Sequence, residues 1–598
     1  MTIQKTGLTH KIREMKTGLS LVLVLFSLIS GILPTPSQAQ SGGEGIAFAA
    51  YRNGQWDIYS MASDGSNLRQ LTNDTFEDTD PAYAPDGTKI AYASRRNNNW
   101  DIYILNLLTG EETRLTNSPH YDGAPSWNPD GKHIAYESFQ AGNLDIWQVA
   151  VDGSEPAVNL TPESPDGDFA PAWSPDGHSI AFTSWREGDN DLFLLDVATG
   201  EVTQLTVSPA AEEWPAWNPS GDKLTFVIND LGDREVFTLD LATPPAKGGR
   251  VEQVTWQGRS DGPAWNPHGG AIAAIFRRWD GDILTIHTPN AIHELPRELT
   301  DVVKIQGRLS WHNPAVEFGN PVDTLVDAGV SPLYKEQLTP NEGDGVEPYN
   351  LIRQDDLVTG TPWLADTVDD SFQAWRSRLR QEVGYDFLSE LSDASRAVGA
   401  YSETSQYASW HKSGRAVDTL FDYWIGPQLA HEIVREDYSG ETYWRIFLRC
   451  LDQSGQCGRP LTANAWNYSA RARTEIAPEQ GGIEKPNITG YYVDMTEMAR
   501  EYGWDRISSY DDVDYSWTWH FLAFEYWHYQ KRLEHNPSSG IGAGNWYQAM
   551  QQVYPQETLD RYFSWEKMRS LNDDPYLIAL KGVPLPPEVK PWWALVKQ

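Results

Sequence analysis

The chain has 598 residues, with 83 acidic against 47 basic side chains and a formal charge of −36. That length exceeds what one hydrophobic core organises, so at least two domains are expected. The acidic balance excludes a nucleic-acid binder, which needs a basic stripe to displace counterions.

Residues 1–40 open with Lys5, Lys11, Arg13 and Lys16 and run into the apolar stretch from Leu19 to Leu33. Pro34, Pro36 and the small-residue site Ser37-Gln38-Ala39 follow. This is the pattern of a secretory signal cleaved near Ala39, since 15 apolar residues are short for a spanning helix. Met15 offers a second start directly before the apolar run. The mature chain is therefore expected to be exported, to the periplasm, the cell envelope or the medium, with no transmembrane segment.

From residue 42 to 319 an internal period dominates. Pro81-Ala82-Tyr83-Ala84-Pro85-Asp86-Gly87 returns as Pro125-Ser126-Trp127-Asn128-Pro129-Asp130-Gly131, then around Trp173, Trp217 and Trp265, with a worn copy at Trp311. Each unit adds an apolar run such as Ile90–Ala93, an Asp-Ile-Tyr run such as Asp101–Tyr103, and a closing Leu-Thr pair such as Leu115-Thr116. Short strands separated by Pro-Asp-Gly and Thr-Gly turns predict a radial array of four-stranded blades. Ile46-Ala47-Phe48 lacks a preceding Pro-x-Trp unit and Trp311 lacks a following blade, so the last piece is expected to complete the first. The prediction is a six-bladed all-β propeller, with the repeated Trp packing between blades and the Asp-Gly pairs serving tight turns. These units resemble the TolB-type propeller repeats of exported bacterial proteins. The resemblance implies that fold and leaves the role open, since propellers host binding, scaffolding and catalysis alike; a substrate, an envelope protein or a glycan is the partner expected on it.

Residues 320–350 are Pro-rich and irregular, a linker. Phe372, Trp375, Leu379, Val383 and Phe387 then recur at helical steps, with a weaker continuation over Ser392–Val398. A strand is expected over 441–460, helices over Val493–Tyr502, Trp546–Val553 and Thr558–Leu571, and a strand over Trp519–Gln530. Residues 351–580 read as an α+β domain and 581–598 as a tail. Cys450 and Cys457 are the chain's two cysteines, and in an oxidising compartment they are expected to close a structural disulfide.

The chemistry concentrates in Ser409-Trp410-His411-Lys412-Ser413-Gly414-Arg415-Ala416-Val417-Asp418 and in Glu525-Tyr526-Trp527-His528. Two imidazoles and one carboxylate, with a spare carboxylate beside them, are the inventory of a catalytic zinc site. His411 and Asp418 do not share a helical face, but a turn at Gly414 could bring both to one metal. If His528 is a ligand, Glu525 is tethered close enough to act as base. Other enzyme signatures are incomplete: Ser409-x-x-Lys412 has Lys-Thr-Gly copies only in the export segment, and G-x-S-x-G and His-Glu-x-x-His are absent. His431, His520, Trp517, Trp519 and Trp527 read as packed residues.

The spacings S-x-H-x-x-G-x-A-x-D and E-x-W-H resemble the signature of the D-alanyl-D-alanine carboxypeptidase and dipeptidase family of zinc peptidases, and Met498–Ile507 resembles the helix and Gly-Trp turn preceding it there. The resemblance covers roughly residues 370–530. It implies one zinc per chain on His411, Asp418 and His528, Glu525 as general base, and a short peptide substrate such as a peptidoglycan stem peptide. Arg396, in Ser395-Arg396-Ala397, stands where that family's substrate-binding Arg is sought; with Ser409 it is a candidate substrate contact. The segment from Phe421 to Thr489 is longer than compact members carry and holds both cysteines. The alternative expectation is a non-catalytic envelope scaffold whose second domain keeps the peptidase fold without activity.

Overall fold

The computed structural model describes residues 44–586 except 53–54, 97–98, 209, 231–232, 257, 279–280, 290–295, 300–303, 315–332, 340–348, 401–408, 439–440, 470–480, 486–487, 513–514, 519, 532–545, 572–577 and 579–580. The secretory-signal reading of 1–40, most of the linker, most of the tail and Trp519 lie outside the described residues.

Among the described residues, Gly45 to His312 form six four-stranded antiparallel sheets. A typical sheet runs Asp122–Trp127, His133–Ser138, Asp145–Ala150 and Val158–Asn159 in spatial order. One sheet breaks chain order: the late strand Lys304–His312 pairs antiparallel with the early strand Gly45–Arg52, setting Trp311 opposite Ile46. Inner strands are buried on both faces, which is why Ile-Ala-Tyr-Ala runs appear in place of polar alternation.

The Pro-x-Trp units have a local reason. Five inner strands shift register just before the aromatic, for instance between Gly123 and Ser126 and between Phe169 and Ala172. The bulged residue is left-handed each time: Asp80, Ala124, Ala170, Trp214 and Gly262, and Gly307 repeats it on the closing strand. Proline follows the first five, at a place where the ladder needs no N–H. Trp127 Nε1 donates to Ala82 O and Trp217 Nε1 to Ala172 O, so these two indoles bind one sheet to its neighbour. The Asp of the Pro-Asp-Gly turns accepts the backbone N–H two residues on, as Asp86, Asp130 and Asp176 do. Arg308 extends from the closing strand to donate to the carbonyls of Pro171 and Pro215.

The second half mixes helices with antiparallel strands. Helix α1 (Asp369–Val383) buries Phe372, Trp375, Leu379 and Val383 and stops at left-handed Gly384. The helical continuation over Ser392–Val398 is not what forms: past Gly384 the chain makes a short turn at Phe387–Ser389, then a strand at Leu391–Asp393. That strand joins a four-stranded sheet in the order Leu391–Asp393, Ala416–Thr419, His528–Gln530, Asp505–Arg506. The expected strand over Trp519–Gln530 is reduced to His528–Gln530, because Phe521, Phe524 and Trp527 pack in an aromatic cluster rather than alternating. Helix α2 (Met495–Glu501) starts two residues later than expected, capped by Asp494. After α3 (Trp546–Gln551), the helix expected over Thr558–Leu571 is two, α4 (Gln556–Phe563) and α5 (Trp565–Ser570), with Ser564 capping the second. Among the described residues no helix is long and apolar enough to cross a membrane.

The long segment between Phe421 and Thr489 carries the hairpin His431–Tyr438 and Glu441–Arg449, which leads into the Cys450–Cys457 disulfide, and it docks on the propeller. Arg459 donates to Thr79 Oγ1 at 2.6 Å, lies 3.5 Å from Asp80 Oδ2 and stacks 3.9 Å over Trp100. Just beyond it, Tyr491 packs edge-on against Phe139. From α1, Arg378 pairs with Glu77, and Arg95 of the propeller pairs with Glu382.

Candidate metal centre

Ser409 opens a short 3-10 turn, Trp410–Ser413, its Oγ accepting from His411 N. Gly414 ends that turn at φ 67°, where a Cβ would sit 2.6 Å from Ala365 N; only glycine fits. The chain reverses there into Ala416–Thr419, so His411 and Asp418 face one space despite seven residues of separation. The pairing of Ala416–Thr419 with His528–Gln530 sets Asp418 directly opposite His528 and Val417 opposite Tyr529. Side chains alternate across a strand, so Tyr529 turns to Trp375 of α1 while Asp418 and His528 turn to the opposite face.

His528 Nδ1 lies 2.7 Å from Asp418 Oδ1 and His411 Nε2 lies 3.2 Å from the same oxygen. One donor atom from each of the three falls within 4.8 Å of the others, and all three residues are buried. His411 Nδ1 is held by Ala394 O at 3.3 Å, which directs Nε2 inward. That Nε2 is buried without an aligned hydrogen bond, although it is close to the Asp418 oxygen. An orphaned imidazole nitrogen, a second imidazole and a carboxylate, with a backbone carbonyl fixing the tautomer, fit a zinc ion. The other acidic group of this size among the described residues, Glu336, Asp369 and Asp370, is half-buried and has no imidazole.

The electrostatics follow from burial and opposite charge. Burial would raise Asp418, but both histidines outweigh it and hold its carboxyl well below the ordinary range. Burial would lower His411, yet the charge of the adjacent Asp418 raises it. Burial pushes the Glu525 carboxyl up to about 7, with Asp418 adding to the rise and His528 opposing it. Glu525 is 7% exposed and sits at φ 55°, a left-handed conformation costly for a residue with a side chain. Its carbonyl accepts His528 N at 3.1 Å, the turn that holds base and imidazole together.

Arg396 and Ser409 both reach this space. Arg396 Nη2 is 3.5 Å from Asp418 Oδ2 and its Nη1 is 3.4 Å from Ser409 Oγ. Sequence reasoning did not single out Asp393, whose carboxylate aims Arg396 from 2.5 Å, or Thr361, whose hydroxyl bonds Ser395 O. Asp393 had a signal in its three-residue offset from Arg396; Thr361 comes from a distant hairpin and had none. His431 and His520 are outside the cluster. His431 is buried between Phe387 and Tyr526, and Trp517 and Trp527 are buried too.

The PD40 family, described as a TolB beta propeller domain, matches residues 81–164 and 157–303. TolB from Acinetobacter baumannii is similar at 23% identity over 45% of this chain and 67% of its own, with a TM-score of 0.41. A putative TolB from Agrobacterium tumefaciens is similar at 26% identity over 35% of this chain and 79% of its own, with a TM-score of 0.30. A prolyl endopeptidase structure is similar at 17% identity over 43% of this chain and 44% of its own, with a TM-score of 0.30. No curated protein matches the chain. The repeated half is a TolB-like β-propeller region.

Proposed function

We propose that this chain is an exported zinc metallopeptidase, with a six-bladed TolB-like propeller joined to an α+β peptidase domain. The reading rests on one observation above the rest: His411, Asp418 and His528 converge from two distant motifs, with the buried Nε2 of His411 3.2 Å from Asp418 Oδ1 and without an aligned hydrogen bond. The spacing of both motifs, with its likeness to D-alanyl-D-alanine carboxypeptidases and dipeptidases, supports a short peptide substrate with a free carboxylate. A peptidoglycan stem peptide meets that description.

His411, Asp418 and His528 would hold the ion. When bound, zinc supplies Lewis acidity, which acidifies a water and polarises a carbonyl. Glu525 takes the proton of the attacking water as oxygen bonds to the carbonyl carbon. It then passes that proton to the leaving amine as the C–N bond breaks. Arg396, aimed by Asp393, offers its guanidinium to a substrate carboxylate or to the developing oxyanion. Ser409 fixes the turn that carries His411 and keeps its hydroxyl near that guanidinium.

The site lies on the sheet face turned away from α1, whose Arg378 pairs with Glu77 of the propeller. The propeller's role is therefore to position the enzyme on an envelope protein or glycan, not to line the site. The test is twofold: zinc content after metal-replete expression, and release of C-terminal residues, D-Ala first, from muramyl peptides with and without chelator. Stoichiometric zinc and chelator-sensitive release are expected. A protein free of zinc would sink the proposal.

A further inference from the structure

The propeller buries an acid near the start of the third strand of every sheet: Asp57, Asp101, Asp145, Asp191, Glu235 and Asp282. The inner strand of the following sheet carries Asp78, Asp122, Asp168 and Glu212 at one repeated position, then Ser260 and Ile305. A threonine hydroxyl sits at these seams: Thr116, Thr161 and Thr206 accept Ile102 N, Ile146 N and Leu192 N. Each hydroxyl has one proton to give, so a single threonine cannot satisfy two carboxylates.

An arginine meets this need at two of the acid-on-acid seams. Arg114 reaches Asp101 at 2.6 Å, and Arg186 grips Asp168 with both its oxygens within 2.9 Å. The seam of Asp191 and Glu212 has no such cation, and neither residue has an ion pair among the described residues. Each is 2% exposed, and Glu212 N donates to Asn190 O at 2.6 Å, which sets Glu212 beside the strand start that carries Asp191. Gln204 donates to Asp191 at 2.8 Å, Thr206 stands 3.3 Å from it, and Ser208 donates to Glu212 Oε1. Glu212 Oε2 is buried without a partner.

The surrounding charge makes matters worse. Asp189 and Glu187 precede Asp191 in the adjoining loop, and burial followed by the charge of Asp191 raises Asp189. Glu484 of the second half is raised by burial and by the charge of Asp189. The arginines nearby are engaged elsewhere: Arg186 on Asp168, Arg234 on Glu213 and Asp261, and Arg435 on Asp437.

We infer that Asp191 and Glu212 share one proton in the folded protein, making their seam a pH-responsive joint of the propeller that tightens in acid and loosens when the proton leaves. Two buried carboxylates side by side repel strongly without a cation or a proton between them. Burial, followed by the neighbouring Asp191, raises Glu212, and burial raises Asp191 as well. The folded chain therefore binds a proton that the unfolded chain releases. This stabilises the fold in acid and is lost as pH rises from the ordinary glutamate range through the raised folded value.

The test is thermal unfolding of the full chain in chelator at about pH 6 and about pH 9, comparing wild type with Glu212→Gln. The glutamine keeps the size and donates permanently to Asp191. The wild-type midpoint is expected to fall by at least about 2 °C more than that of the variant, with Glu212→Gln the more stable of the two at the higher pH. Asp191→Asn reverses donor and acceptor and gives the same comparison should the first variant not fold. Equal pH dependence in wild type and variant overturns the inference, as does a wild-type midpoint that does not fall. Recovery of the high-pH loss by added calcium also overturns it, since a cation would then fill the seam.

Discussion

Asp418 and His528, 110 residues apart in the chain, are direct partners in the ladder of two antiparallel strands and meet at 2.7 Å. The candidate ligand set is thus fixed by strand register. A one-residue slip would turn His528 toward Trp375 and bring Tyr529 to the metal side. The hydrophobic demand of Val417 and Tyr529 for the α1 face sets the position of the polar pair behind them.

Glu525→Gln separates chemistry from metal binding. Glutamine fills the same space but cannot take a proton, so chelator-sensitive peptide release is expected to fall by about 10²- to 10⁴-fold. Zinc content should stay at one ion per chain. Loss of zinc together with activity would make Glu525 a ligand rather than a base.

His528→Ala acts on the ion and on the apo fold alike. It removes one donor and the charge-assisted bond to Asp418, leaving a buried carboxylate with His411 and Arg396 only. Zinc content is expected to fall below stoichiometric, and the chelator-treated protein to lose about 2 kcal/mol of stability. Unchanged zinc retention would place the ion elsewhere.

Metal and pH are coupled with a definite sign. In the metal-free protein Glu525 is raised to about 7 and His411 is raised above its ordinary value, so the fold holds extra protons. Their stabilisation is full below the ordinary values and declines as pH rises through the raised ones. Asp418 is depressed, so its contribution is lost only in strong acid. Zinc requires neutral imidazoles and displaces those protons, each steepening the response by about 1.4 kcal/mol per pH unit. The rise in melting temperature on adding zinc should therefore be larger at about pH 8 than at about pH 6. An equal rise at both would argue against His411 as a ligand.

The sheets and the donor residues were legible because both are carried by residue type. Proline followed two residues on by an aromatic marks five of the bulges, and His411, Asp418 and His528 are recognisable as candidate donors before any fold is known. The helix over Ser392–Val398 was misread because spacing alone does not show that left-handed Gly384 closes α1 and that Leu391–Asp393 then pairs with Ala416–Thr419. The strand over Trp519–Gln530 was misread because Phe421 and Tyr468, both distant in sequence, supply the partners that gather its aromatics. Asp393 and Thr361 matter only through what they hold in place, which the sequence does not display.

Arg459 offers the sharpest test of how the long segment couples the two halves. Its guanidinium carbon lies 3.9 Å from the Trp100 ring centre, and the group donates to Thr79 and stands by the buried Asp80, all on the propeller. Arg459→Ala removes the stack and the charge together and is expected to destabilise the chain by about 3 kcal/mol. Lysine keeps the charge but not the planar stack, so Arg459→Lys should fall between. Calorimetry should show one transition in wild type and a separation into two in Arg459→Ala, as propeller and second half lose their common seam. Zinc content should not change, because Arg459 pairs in a different sheet from the one that carries Asp418 and His528. A single unshifted transition in Arg459→Ala would mean that the coupling is carried by Arg378 with Glu77 and by Arg95 with Glu382 instead.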